Sequence, residues 1–304
     1  MKVNKTFKAL FNELIHLKKK TLVVAVAQDK SILKAVESAR EENICDAILV
    51  GNENLIQNIA KELSIDLSNF QLINEIDEKK SVLKAVELVS TGKADMLMKG
   101  LVSTSTFLKG VLNKEVGLRT GKLMSHVAVF ELEQFNKLIF MTDGAFNIKP
   151  NLKQKIDIIN NAVKVAKSCG IEIPKVAPIC AIEVVNEDMI CTLDAAILSK
   201  MNERGQIKDC IIDGPLAFDN AFSVEAAIHK GIKSEVAGQA DIFLMPDIES
   251  GNVMYKCILY TSKSKSGGLL VGTKAPVILT SRADGFETKI NSIILAALVA
   301  QKNN

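Results

Sequence analysis

Apolar runs alternate with stretches of helical period along most of this chain, and that alternation constrains the fold more than any other feature. Residues 22–27 are strand-like, 31–40 helical, 46–50 strand-like again and 53–63 helical again, a βαβα order. Val82, Ala85, Val86 and Val89 then share one helix face at i, i+3, i+4 and i+7 before a further strand at 95–98. Strands that are apolar nearly throughout belong in a parallel sheet covered on both faces. The expectation is an α/β fold of mainly parallel sheets.

The rhythm breaks at about residue 120. Residues 125–132 and 137–142 read as two strands joined by a connection short enough for an antiparallel hairpin. Helical period returns at 152–167, followed by a strand at 176–183, a helix at 188–201, a strand at 210–213, a helix at 224–230 and a strand at 241–245. The end supplies a strand at 275–280 and a helix at 287–300, with Ile290, Ile293, Ile294, Ala297 and Leu298 on one face. A length of 304 residues fits two moderate domains. We place the first at 1–122 plus 272–304, with the last βα unit rejoining it, and the second at 123–271.

Composition narrows the function. Lys and Arg number 38 against 35 Asp and Glu, and the longest basic run is Lys18, Lys19 and Lys20, so no nucleic-acid groove is expected. The six cysteines never approach C-x-x-C spacing and most lie in apolar stretches, which reads as reduced core thiols. No apolar run reaches the ~18 residues of a membrane span, and the first twenty residues lack a signal-peptide pattern. A cytoplasmic protein with no membrane partner is expected.

Several familiar motifs fail on spacing. In 117–122 only three residues separate the glycines and Leu123 follows the Lys, so the segment is no phosphate-binding P-loop. A G-x-G-x-x-G fingerprint is absent, and Gly267, Gly268 and Gly272 read as a turn before a strand. His16, His126 and His229 lack metal-ligand spacing. His126 heads an apolar strand, either as a satisfied core residue or facing a cleft.

Two turns stand out. Residues 99–106 follow a strand and open a helix, presenting backbone N–H groups with the hydroxyls of Ser103, Thr104, Ser105 and Thr106. These are helix caps, or contacts for a phosphate or coenzyme A; Lys109 adds a cation one to two turns on. Residues 280–285 form a second strand-to-helix turn, and ligands of open α/β sheets collect where such turns lie. Its Arg282 is either a surface partner of Asp284 or a bidentate phosphate ligand.

At this point the residues carry a family resemblance. The 99–112 turn and helix, 142–147 (TDGAFN), 213–219 (DGPLAFD), 236–241 (VAGQAD), 246–252 (PDIESGN) and the turn at Ser281 and Arg282 occur in family order across nearly the whole chain. The sequence resembles the phosphate acetyl/butyryltransferase family, and within it the butyryl branch. The resemblance implies two domains similar to isocitrate and isopropylmalate dehydrogenases, an interdomain active-site cleft, and association as homodimers or larger homo-oligomers. It implies exchange of coenzyme A for phosphate on a short acyl group, with butyryl preferred and acetyl the alternative, without metal and by direct attack in a ternary complex. Coenzyme A serves as substrate or product, and no other cofactor is expected. The same fold also serves NAD- and metal-dependent oxidative decarboxylases, a different class.

By resemblance, Ser281 and Arg282 lie at the reacting centre, and Lys109 stands where the acetyl branch has Arg. The acetyl branch also carries an acidic residue, as proposed base, where this chain has Thr288. The candidate catalytic residues are therefore Ser281, Arg282 and Lys109. The candidate substrate contacts are Ser103, Thr104, His126, Asp143, Asn252, Asp284 and Thr288. A proton from coenzyme A would pass to Asp284, Glu287, Asp143 or bound phosphate, and the sequence does not choose among them.

Overall fold

The computed structural model describes residues 6–133, 135, 137–280 and 284–302. Two units emerge, residues 7–122 with 265–304, and residues 123–264 with the first six. In chain order the first unit runs α1 (Phe7–Leu14), β1 (Lys20–Ala25), α2 (Lys30–Glu41), β2 (Cys45–Gly51), α3 (Glu53–Leu63), β3 (Gln71–Asn74), α4 (Glu78–Ser90), β4 (Met96–Lys99) and α5 (Thr104–Val111). The second unit contributes β5 (Ser125–Leu132), β6 (Leu138–Thr142), α6 (Leu152–Ser168), β7 (Lys175–Cys180), α7 (Ile190–Glu203), β8 (Ile211–Ile212) and β9 (Leu216–Ala217). It ends with α8 (Phe218–Phe222), α9 (Val224–His229), β10 (Ile242–Leu244) and α10 (Ile248–Thr261). The chain then returns to the first unit as β11 (Ser264–Val271), β12 (Val277–Ile278) and α11 (Phe286–Gln301).

Within the first unit the strands lie in the order β3-β2-β1-β4-β12-β11. All pairs are parallel except β11 with β12. Leu22, Val23, Val24 and Ala25 are all fully buried, as a strand covered on both faces requires. The helices begin where the sequence supplies caps: Asp29, Asn52, Asp77 and Ser103 each accept an N–H from the first turn that follows. The second unit orders its strands β5-β6-β10-β7-β8, with β9 also on β7. The expected hairpin is present, with Val129 opposite Phe140, while β6, β10, β7 and β8 run parallel.

One element departs from the sequence reading. Gly267 and Gly268 lie inside β11 rather than in a turn. A Cβ on Gly267 would sit 3.0 Å from the Asn291 backbone, so the missing side chain lets α11 lie close on the strand. Asn291 Nδ2 donates to the Ser266 carbonyl at 3.0 Å, and Gly268 N–H donates to Ser292 Oγ at 3.0 Å. These bonds tie β11 to α11, and residues 265–271 cluster with the first unit instead of the second.

Candidate active site

β12 lies parallel to β4, with Val277 opposite Leu97 and Ile278 opposite Met98. Adjacent parallel strands in register end at the same edge, so the chain leaves β4 and β12 at one edge of the sheet. The turn after β4 is described throughout, and of the 280–285 turn after β12 Thr280, Asp284 and Gly285 are described. Each opens a helix: Ser103 caps α5, accepting the Thr106 N–H at 3.1 Å and donating to Thr106 Oγ1 at 2.9 Å, and Gly285 precedes α11 with no side-chain cap.

Main-chain bonds to β1 fix the first turn. Gly100 N–H donates to the Ala25 carbonyl and Leu101 N–H to the Val26 carbonyl, both at 2.8 Å. Val26 reaches that geometry at φ 57°, a left-handed conformation that a β-branched residue adopts at a cost on the order of 1–3 kcal/mol. A Cβ on Gly100 would fall 2.1 Å from the Val26 oxygen, so glycine is required. Lys99 is buried, and its Nζ donates to the carbonyls of Gly100 and Val102 at 3.2 and 3.1 Å. Thr104 is exposed in the first turn of α5; Lys109 is exposed in its last turn, with no hydrogen bond or ion pair to a described residue.

At the second turn, Ser281 and Arg282 lie outside the described residues. Asp284 follows them half-buried, and its main-chain oxygen accepts a hydrogen bond from Lys289 Nζ. Thr288 Oγ1 shares a 3.3 Å hydrogen bond with Ser266 Oγ, one turn into α11. Glu287 is turned outward and paired with Lys265 at 3.0 Å.

In the second unit, His126, Asp143 and Asn252 come together around the end of β6. Asp143 is 2% exposed, and five donors converge on its carboxylate: the N–H groups of His126, Ala145, Phe146 and Asn147, and Asn147 Nδ2, at 2.7–3.3 Å. Two carboxylate oxygens offer about four acceptor sites, so these donors exhaust Asp143. The residue weighed in the sequence as substrate contact or base is a staple for its own turn. Asn252 Nδ2 donates to the Gly144 carbonyl at 3.1 Å and fastens α10 there, where Gly144 and Gly251 are too close for a side chain on either. His126 is half-buried, with its ring edge-on to Tyr255 at 6.4 Å. At the start of α10, burial pushes the Asp247 carboxyl up. The N–H and O–H of Ser250, with the charges of Lys155 and Lys149, outweigh that and hold it below the usual range.

Burial pushes the thiols of Cys45 and Cys180 up to about 12 and that of Cys210 up to about 11, so none of these is a thiolate near neutral pH. Cys257 is exposed on α10, against the expectation for a core thiol. Among the described residues no group of three or more His, Cys, Asp and Glu gathers as a metal site, and no helix is long and apolar enough to cross a membrane. Sequence reasoning missed Gly100, Val26 and Lys289, whose roles come from contacts distant in the chain.

Known proteins match along the same length. The phosphate acetyl/butaryl transferase family matches over residues 6–82 and 75–297. A phosphate butyryltransferase of Clostridium acetobutylicum is 65% identical over 294 residues, spanning 95% of this chain and 98% of that protein. One from Clostridium beijerinckii is 60% identical over 301 residues, 99% and 100% of the two chains. The crystal structure of a branched-chain phosphotransacylase from Enterococcus faecalis V583 superposes with a TM-score of 0.82 at 34% identity, covering 92% of this chain and 99% of that one. With the ordered motifs, the α/β scaffold and these full-length matches in hand, the chain belongs to the phosphate acetyl/butaryl transferase family.

Proposed function

We propose that this chain is a phosphate butyryltransferase, converting a short-chain acyl-CoA and phosphate into an acyl phosphate and free coenzyme A. The observation that carries the reading is the full-length identity with two phosphate butyryltransferases. A phosphate oxygen attacks the thioester carbonyl, charge builds on the carbonyl oxygen, and the thiolate departs. Fixed cations and N–H donors at that point lower the barrier. We assign Arg282 and Lys109 to phosphate and Ser281 to the carbonyl oxygen or the thiol sulfur, with Ser103, Thr104 and the uncapped start of α11 beside them. The parallel pairing of β12 on β4 supports that grouping. Phosphate near neutral pH is already largely a dianion, so the forward step needs no strong base. In reverse, with Asp143 engaged by its own turn, Asp284, Glu287 or phosphate itself takes the thiol proton.

The proposal extends to a metal-independent, cytoplasmic enzyme with a scaffold like that of isocitrate and isopropylmalate dehydrogenases, acting as a homo-oligomer. Self-association draws support from α10, whose only buried residue is Gly251 and whose Val253 and Tyr260 are 70% and 79% exposed.

Thiol release from butyryl-CoA tests the reaction. It should require phosphate and persist in a metal chelator; release without phosphate, or loss with chelator, contradicts the reading. Run over acetyl-, propionyl-, butyryl- and isobutyryl-CoA, the same assay tests the branch. Two further buried methylenes at about 0.8 kcal/mol each favour butyryl over acetyl by roughly 15-fold in kcat/KM. Equal rates with acetyl-CoA would refute the butyryl assignment and leave phosphate acyl transfer standing.

A further inference from the structure

β1 is flanked by β2 on one side and β4 on the other, so the strand order reverses between β1 and β4. Ligands of open α/β sheets collect beyond the carboxyl ends of strands at such a reversal. Lys99 is the last residue of β4 and stands at that point, only 6% exposed. Its Nζ donates to the Gly100 and Val102 carbonyls at 3.2 and 3.1 Å. The Val102–Ser103 peptide is trans, and in a planar trans peptide the N–H points opposite to the carbonyl. With the Val102 carbonyl drawn inward to the ammonium, the Ser103 N–H is turned away from it. The N–H groups of Ser103, Thr104 and Ser105 donate to no described residue, and all three residues are exposed. An ammonium is costly to desolvate, and a neutral donor would serve two carbonyls at less cost. What the charge adds is positive potential at the start of the eight-residue α5, where the helix dipole already points that way.

We propose that Lys99 is a positioning residue for phosphate: its ammonium fixes the Val102–Ser103 peptide so that the N–H groups of Ser103, Thr104 and Ser105 are presented together to the bound dianion. The inference rests on the reading of the 99–106 turn as a phosphate contact. Lys99 acts through the peptide it orients and through its charge.

The test is steady-state kinetics of Lys99→Met and Lys99→Gln with phosphate and butyryl-CoA varied in turn. In Lys99→Met, KM for phosphate should rise about tenfold, the scale of one hydrogen bond to a charged group, while KM for butyryl-CoA stays within about twofold. Lys99→Gln, which keeps a donor without the charge, should show a smaller rise. Thr104→Pro and Thr104→Ala read the turn itself. Proline is accepted at a first helical position, and Ser103, at ψ 143°, already has the extended conformation that a residue before proline needs. Both variants lose the hydroxyl and only the proline variant loses the N–H, so phosphate KM should be about tenfold higher in Thr104→Pro than in Thr104→Ala. Unchanged phosphate KM in Lys99→Met, or equal rises for both substrates, overturns the proposal. If Lys99→Met does not melt cooperatively, Lys99→Gln carries the same test; if neither does, Lys99 is a structural residue and the proposal falls. Equal phosphate KM in the two Thr104 variants would remove the turn from the phosphate site and the proposal with it, a failure of the underlying reading seen in separate variants.

Discussion

Gly100→Ala probes the clasp that fixes the first turn. The new methyl group would start 2.1 Å from the Val26 oxygen and 2.4 Å from the Ala25 oxygen, both main-chain atoms that no rotamer change can move. Restoring the 3.0 Å floor for such contacts requires the two segments to part by about 0.9 Å, which stretches both 2.8 Å hydrogen bonds beyond useful length. Two lost bonds at about 1 kcal/mol each, plus about 1–3 kcal/mol of overpacking, give a loss of about 3–5 kcal/mol. At this chain length that is a fall in melting temperature of roughly 6–20 °C. With this turn proposed to hold substrate, a shift near 1 Å also costs about 10²-fold in rate, so kcat/KM per folded molecule should drop on that scale. Gly92→Ala is the control. Its Cβ meets nothing within 4 Å, and its φ of 76° adds only backbone strain at the end of α4. That variant should melt slightly earlier and turn over normally. A Gly100→Ala protein within about 2 °C and about threefold of wild type would refute the argument.

Asp143→Asn distinguishes a staple from a base. An amide keeps one acceptor and points an NH₂ at donors, leaving at least two part-buried N–H groups unmatched, for a loss of about 2–4 kcal/mol in urea unfolding; a fully stable but inactive variant would return Asp143 to the chemistry. Light scattering over a hundredfold dilution checks self-association: a species larger than one chain is expected, and Val253→Glu with Tyr260→Glu on α10 should shift it toward the monomer. A monomer at every concentration would contradict that part of the proposal.

Much of the scaffold was legible because buried parallel strands need apolar residues on both faces, and 22–27 and 46–50 have little else. β11 was illegible for the opposite reason. Its glycines serve the approach of α11, a tertiary need that local propensity reads as a turn. β3 is only four residues long, with none buried, and left no apolar run to find. The two turns announced themselves by their hydroxyls and Arg282, yet the pairing of the strands they follow, β12 beside β4, is tertiary, and no local pattern encodes it. Asp143 illustrates the limit at the level of chemistry. A carboxylate near a candidate site reads as a reagent, and only the geometry of its own loop shows that the backbone has already claimed it.

The first unit is interrupted in sequence, and this has a consequence for biosynthesis. β4 waits with an open edge while the whole of residues 123–264 is made, and β12, the strand that fills that edge, is made only after them. The middle unit draws its strands from one continuous stretch and can complete its sheet on the ribosome, whereas its sequence-split neighbour has to wait for β12. α11, which packs against both α1 and α2, is the closing piece. The sheet beside β4 is thus completed only after the middle unit has been made, and a nascent chain that stops short of β12 leaves β4 without its partner on that side.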